Sequence, residues 1–209
     1  MSRTIGFRHR IKKTKEGEAR PTQMCILDGD VETIWDLEDE SAELDWVRGR
    51  FPIAWRDITP EDDLTAFSAR HIKWRTVRKG ENTDKFLPAH LRTIEDGKIQ
   101  VATKIPTHFD GHTRGDIVAV IFGGSGGNFV HALSKHGERV GATVYAISPS
   151  DLKDRRQGDK KDDDAKVLAH LMQSKPDLFH EVTAATRRII WVRQCQALRA
   201  RVAAYAARS

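Results

Sequence analysis

The chain has 209 residues, enough for one substantial domain with an appended element and too few for two full ones. Charged side chains make up 31% of it with a formal net charge of +5, which favours a polyanionic partner. There is no run of 18 apolar residues, and the N-terminus is charged where a secretory signal needs an apolar stretch, so the expectation is a cytoplasmic protein with no membrane contact.

The charge is unevenly spread. Arg3, Arg8, Arg10, Lys12, Lys13, Lys15 and Arg20 face only Glu16 and Glu18 in the first 25 residues, and nothing acidic follows Glu181 although Arg187, Arg188, Arg193, Arg199, Arg201 and Arg208 do. Cys25 and Cys195 lie in apolar contexts and match no metal spacing, so they read as reduced core residues.

Taken in chain order, residues 4–7, 23–27 and 32–37 have strand character, and Asp28-Gly29-Asp30 marks a tight hairpin. An amphipathic helix is predicted from Ser41 as cap, with Leu44 and Val47 on its apolar side. Residues 51–113, interrupted by Pro52, Pro60, Pro88 and Pro106, read as an irregular inserted lobe. Residues 116–122 form a nearly continuous apolar strand of the buried parallel type. A glycine loop, Gly123-Gly124-Ser125-Gly126-Gly127, leads into a helix carrying Phe129, Val130 and Leu133, and residues 143–147 form a second buried strand ended by Ser148-Pro149.

A basic loop follows, then an acidic helix start at Asp162-Asp163-Asp164 and a helix with Leu168, Leu171 and Met172 inward. From about Thr183, Trp191, Cys195, Leu198, Val202 and Tyr205 recur at spacings of four, three, four and three, a heptad seam beside arginines. The order β-β-β-α-β-α-β-α, with a hairpin before a parallel pair, predicts an α/β protein of RNase H-like (RuvC-type) mixed sheet rather than a doubly wound one. Residues 1–50 and 114–180 would form that domain, 51–113 the inserted lobe, and 181–209 a basic, coiled-coil-like helical extension.

Several constellations compete. Gly123-Gly124-Ser125-Gly126-Gly127 fits a nucleophile elbow, but the later histidines are His170 and His180, on or beside the closing helix. The same loop could cradle a nucleotide phosphate, although no acid ends the next strand to hold a ribose; a backbone nest of Gly124, Ser125, Gly126 and Gly127 for a nucleic-acid phosphate remains attractive. His108 and His112 with Asp110 between them could ligate a metal, but a solvated loop is the plainer reading. Lys73, Trp74 and Arg75 mix cations with an aromatic as phosphate contacts and base stacking require, against a surface strand whose tryptophan packs inward. Lys153, Arg155, Arg156, Lys160 and Lys161 form a second basic cluster. Asp162 to Asp164 also has a plain reading, negative charge at a helix N-terminus, favourable by roughly 0.3 to 1 kcal/mol per residue.

Residues 116–201 resemble the N-terminal half of the DEDD insertion-sequence transposases, the group with the Piv and MooV invertases and the bridge-RNA-guided recombinases. The resemblance is carried by Phe122-Gly123-Gly124-Ser125-Gly126-Gly127, Ser148-Pro149, Lys160-Lys161-Asp162-Asp163-Asp164-Ala165 and the arginine-rich helix from Arg187 to Arg201. That family's chemistry implies four acids holding two divalent metals. Here the first-strand acid falls at Arg8 and the glutamate after the buried strand at Gly123, leaving Asp162 and Asp164 as residual catalytic candidates.

The resemblance therefore implies a nucleic-acid-binding relative with a degenerate metal site and no cofactor, similar to a nuclease-free RNA-guided protein of the TIGR-Tas type. Its expected partners are a structured or guide RNA, a DNA target and a second copy through the C-terminal helix. Arg8, His9, Arg10, Lys12 and Lys13, the Lys153 to Lys161 loop, and Arg187, Arg188 and Arg193 would form the track. In the family this helix continues into a second domain with a catalytic serine, which this chain is expected to lack. The main alternative is an active transposase or invertase domain, magnesium-dependent, in which Asp28 or Asp30, Asp116 and Asp162 to Asp164 rebuild a site; a purely structural dimer is the third class.

Overall fold

The computed structural model describes residues 2–9, 20–78, 80, 88–122, 126–156 and 163–206. The chain divides into two compact units, residues 1–49 with 111–209, and residues 50–110.

The larger unit is built on a mixed six-stranded sheet: β1 (Thr4–Arg8), β2 (Thr22–Asp28), β3 (Val31–Leu37), β8 (Ile117–Ile121), β9 (Thr143–Ile147) and β10 (His180–Glu181). Their order is β10-β9-β8-β1-β2-β3. β1, β2 and β3 form an antiparallel meander, β1 pairs parallel with β8 and β8 with β9, and β10 runs antiparallel at the edge. Strands β1 and β8 are buried along most of their length, as apolar runs in a covered sheet require, whereas β3 at the edge alternates between exposed and partly covered positions. The predicted hairpin closes through Gly29 at φ 57°, with Asp28 opposite Val31.

Helices cover both faces. α1 (Glu40–Val47) and α2 (Gly127–Val140) meet the side to which Phe7 points, where its ring lies edge-on to Trp46 and Phe129. α4 (Asp164–Ser174) covers the other face, its Ala165 and Ala169 packed with Cys25 and Leu27. The short α3 (Pro149–Lys153) contributes Leu152 to a core with Ala119, Ile147, Leu168, Met172 and Phe179. The long α5 (Ala184–Ala206) packs its first half on α2. No helix among the described residues is long and apolar enough to cross a membrane.

The α1 reading is corrected. Its cap is Asp39, which accepts from the Ala42 amide at 2.7 Å, and its inward residues are Glu43, Asp45, Trp46 and Val47 while Leu44 stays exposed. The cap lies two residues earlier than expected, and the inward face is set by Trp46, whose full burial outweighs Leu44 in apolar area.

The smaller unit is also more regular than its prolines suggest. β7 (Lys98–Asp110) is a 13-residue strand that pairs antiparallel with β4 (Phe51–Asp57), β5 (Lys73–Thr76) and β6 (Arg92–Glu95). Pro52 and Pro106 both lie where the β4–β7 register shifts or adjoins a shift, the positions at which a strand tolerates a missing donor. Ile72, Ala102 and Ile105 form its core.

One close approach sets the geometry of the larger unit. A Cβ on Gly6 would collide with the carbonyl of Ala165 and stand 2.7 Å from the Ala169 amide, so α4 lies directly on the backbone of β1. Gly6→Ala is expected to destabilise the protein by at least the about 1–3 kcal/mol typical of overpacking, because backbone atoms cannot turn aside. Urea unfolding would measure this, and a variant as stable as the parent would show that α4 does not sit there.

Candidate nucleic-acid interface

Side chains alternate along a strand, so Arg8 leaves β1 on the same face as Gly6, toward α4. There it meets Asp164, the first residue of that helix: Arg8 Nη1 donates to Oδ2 at 2.5 Å. Arg156, from the turn after α3, donates through Nε to Oδ1 at 2.5 Å and through Nη2 to Oδ2 at 2.7 Å. Asp164 is 1% exposed, and both guanidinium side chains are largely covered. The carboxylate holds the Arg156 proton more tightly, raising its pKa above the usual range.

This arrangement does not fit the pair of divalent metals that the resemblance implies. A dication about 4 Å from a guanidinium meets repulsion on the order of 8 kcal/mol at an effective dielectric of 20, and two guanidiniums flank this single carboxylate. Gly123 and Asp162 lie outside the described residues. Among those described, no group of three His, Cys, Asp or Glu is placed to hold a metal ion.

The acids proposed for a rebuilt site lie at the wrong edge of the sheet. Asp116 precedes β8 and pairs bidentately with Arg3 at 3.0 and 2.9 Å, beside the start of β1. Asp28 and Asp30 flank the β2–β3 turn, near Thr4 by register. Arg8 is about 13 Å further along β1. These carboxylates and Asp164 therefore cannot share one metal pair.

The other sequence-predicted residues divide by what engages them. His9 faces the α1 side, its Nε2 3.4 Å from Glu43 Oε1, in a cleft also lined by Glu40, Asn128 and Phe129. Gly126 is buried against His9, and a Cβ on Gly127 would stand 2.8 Å from Gln194 Nε2, so Gly127 seats α5 instead of presenting an open cradle. Gly124 and Ser125, like Arg10, Lys12, Lys13, Lys160 and Lys161, lie outside the described residues. Trp74 is drawn inward against the core of the smaller unit with Nε1 donating to Ala69, which favours the packed reading of that strand; Lys73 lies 4.4 Å from the Trp55 ring and Arg75 is exposed. His108 is an exposed strand residue beside Thr107 Oγ1, and His112 is 3% exposed in the larger unit, so neither belongs to a solvated loop.

Lys153 and Arg155 are exposed, and Arg155 and Arg156 line a cleft of about 470 Å³ with Asp163 and with Lys166 and His170 of α4, both of which engage Glu32. On α5 the arginines separate. Arg187 is turned inward, donating to Ser134 Oγ at 2.8 Å and pairing with Glu138 at 2.6 Å, so the expected phosphate contact is instead a brace between helices. Arg188 and Arg193 are exposed, the latter 5.6 Å from the Phe122 ring. Sequence reasoning missed Arg156 as the partner of Asp164 and missed the Arg3–Asp116 pair, since neither spacing is a motif.

Glu43 offers a pH test of the His9 side. Burial lifts its carboxyl from 4.5 to about 7, only partly opposed by the Thr22 hydroxyl donating at 2.7 Å. The folded chain thus keeps a proton that the unfolded chain loses above pH 4.5, so this contribution is full below that pH and lost as pH rises through about 7. Glu43→Gln is expected to match the parent near pH 4 and to exceed it by about 2–3 kcal/mol at pH 8 in urea unfolding. Equal pH slopes for the two proteins would refute the buried-acid account.

Asp164→Ala is expected to cost about 3–5 kcal/mol by leaving two covered guanidiniums without their carboxylate, whereas replacing Arg8, Asp164 and Arg156 together by Met, Leu and Met restores most of that loss. Chemical denaturation of both variants checks the contrast, and an Asp164→Ala protein of parental stability would refute it. No protein-family model, curated protein or solved structure matches the chain, so a functional reading rests on this geometry and on the pattern of the sequence.

Proposed function

We propose that this protein binds nucleic acid through an RNase H-like, RuvC-type domain whose metal site is degenerate, and that it descends from a DEDD transposase. The observation that carries the reading is the Arg8–Asp164–Arg156 cluster. The acid at the start of α4 is retained, while the end of β1, where the resemblance expects an acid, supplies a cation to it. The strand order β3-β2-β1-β8-β9 with a parallel β1–β8–β9 set supports the fold assignment.

Arg8 and Arg156 both meet Asp164 at the carboxyl end of β1. Lys153 and Arg155 are exposed on α3 and in the turn that carries Arg156, cations suited to contacting a phosphate backbone. The intended ligands are a structured or guide RNA and then a DNA target. Beyond Gln196 every described residue of α5 is exposed, including Leu198, Val202 and Tyr205, which supports self-association of that seam into a dimer.

Purification from a host carrying the native locus, followed by sequencing of co-purifying nucleic acid, tests the proposal. A discrete, stoichiometric RNA is the expected result, with no magnesium- or manganese-dependent strand cleavage. Metal-dependent cleavage abolished by Asp164→Ala would overturn the degenerate-site reading, and protein that binds neither RNA nor DNA would overturn the function.

A further inference from the structure

The cleft between α2 and α5 has a composition that the edge site lacks. It encloses about 460 Å³ and is lined by His131, Lys135 and Glu138 of α2 and by Arg187, Arg188 and Trp191 of α5. Trp191 is 62% exposed, although indole is among the side chains that gain most from burial. The helices beneath it are fixed: Arg187 reaches across to Ser134 and Glu138, and Ser134 donates to the Val182 carbonyl at 2.6 Å. That brace pairs the one carboxylate among the described lining residues.

The field in the cleft is accordingly positive. Burial and then the charges of Arg187 and Lys135 lower the His131 pKa below its ordinary value. An exposed ring on a rigid floor, ringed by Lys135 and Arg188, combines a stacking surface with phosphate partners.

Building on the nucleic-acid reading above, we propose that this cleft is a single-strand site in which one unpaired base stacks on Trp191 while its flanking phosphates contact Lys135 and Arg188. The occupant is a single-stranded stretch of RNA or DNA rather than a duplex, since a paired base offers no free face to the indole. Neither Lys135 nor His131 stands in any basic run of the sequence, and Trp191 reads there as part of the heptad seam. Only the packing of α5 on α2 brings them together.

The test uses the full chain and labelled twelve-residue oligouridylate and oligothymidylate, with a duplex of mixed sequence as comparator, read by fluorescence anisotropy. Trp191→Ala is expected to weaken binding to at least one of the single strands about tenfold or more, Trp191→Phe to retain most of it, and duplex binding to change less than twofold. Lys135→Glu is expected to weaken the same single strand and to flatten its salt dependence. Preference for oligouridylate or oligothymidylate distinguishes an RNA from a DNA occupant, and either supports the site.

Single-strand affinity within twofold of the parent in Trp191→Ala would overturn the site while leaving nucleic-acid binding intact. So would displacement of the oligonucleotide from that cleft by polyglutamate equally in parent and Trp191→Ala, which would indicate an acidic protein partner. Loss of binding that accompanies a changed sedimentation coefficient in Trp191→Ala would assign the tryptophan to self-association and also overturn the proposal. A parent that binds no oligonucleotide would overturn the functional reading and this site with it. Because Trp191 is exposed, thermal unfolding of both Trp191 variants is expected to match the parent.

Discussion

The contact between α4 and the backbone of β1 at Gly6 determines most of what surrounds it. With no side chain at that position, the helix descends until its Ala165 carbonyl and Ala169 amide meet the strand directly. Asp164, one residue before Ala165, is thereby brought over the end of β1, where Arg8 emerges on the same face two residues beyond Gly6. The cluster is a consequence of two small residues on α4 and one glycine on β1.

β1 is tied to carboxylates at both ends, and the two ties differ in kind. Arg3 is bidentate to Asp116 and also donates to the Gly111 carbonyl at 2.9 Å, so one cation serves one acid and the chain's return from the smaller unit. At the other end two cations serve one acid. A buried pair that balances its charge can be purely structural, and its net contribution is often small after desolvation. The second tie joins three elements, since Arg8 of β1 and Arg156 of the turn after α3 converge on the first residue of α4.

How legible this was in the sequence depended on the range of the interaction. The apolar runs of β8 and β9, the Asp28-Gly29-Asp30 turn and the helix at Asp164 are local patterns, and each element forms within a few residues of where its pattern predicts. The lobe was obscured because Pro52 and Pro106 are breakers in most strands, and only the pairing of β4 with β7 shows that they sit at irregular register. For α1, periodicity favoured Leu44, but the buried Glu43 is held by Thr22 of β2, which no helical pattern can report. Arg8 at the end of a strand and Asp164 at a helix start were legible, while the direct bond between them, with Arg156 joining, required the fold.

The same distinction governs α5. On a 3.6-residue period Arg187, Trp191, Gln194, Leu198 and Tyr205 lie on roughly one side of the helix. The first part of that side is used within the chain, with Arg187 and Ile190 buried and Gln194 lying against Gly127. The later part continues the stripe with Leu198, Val202 and Tyr205 at 61–80% exposure. A helical segment of this length has marginal stability in water without a packed face. The inner half of α5 therefore owes its helicity to α2, whereas the outer half carries its apolar stripe at high exposure among the described residues, so the two halves of one helix rest on different physical support.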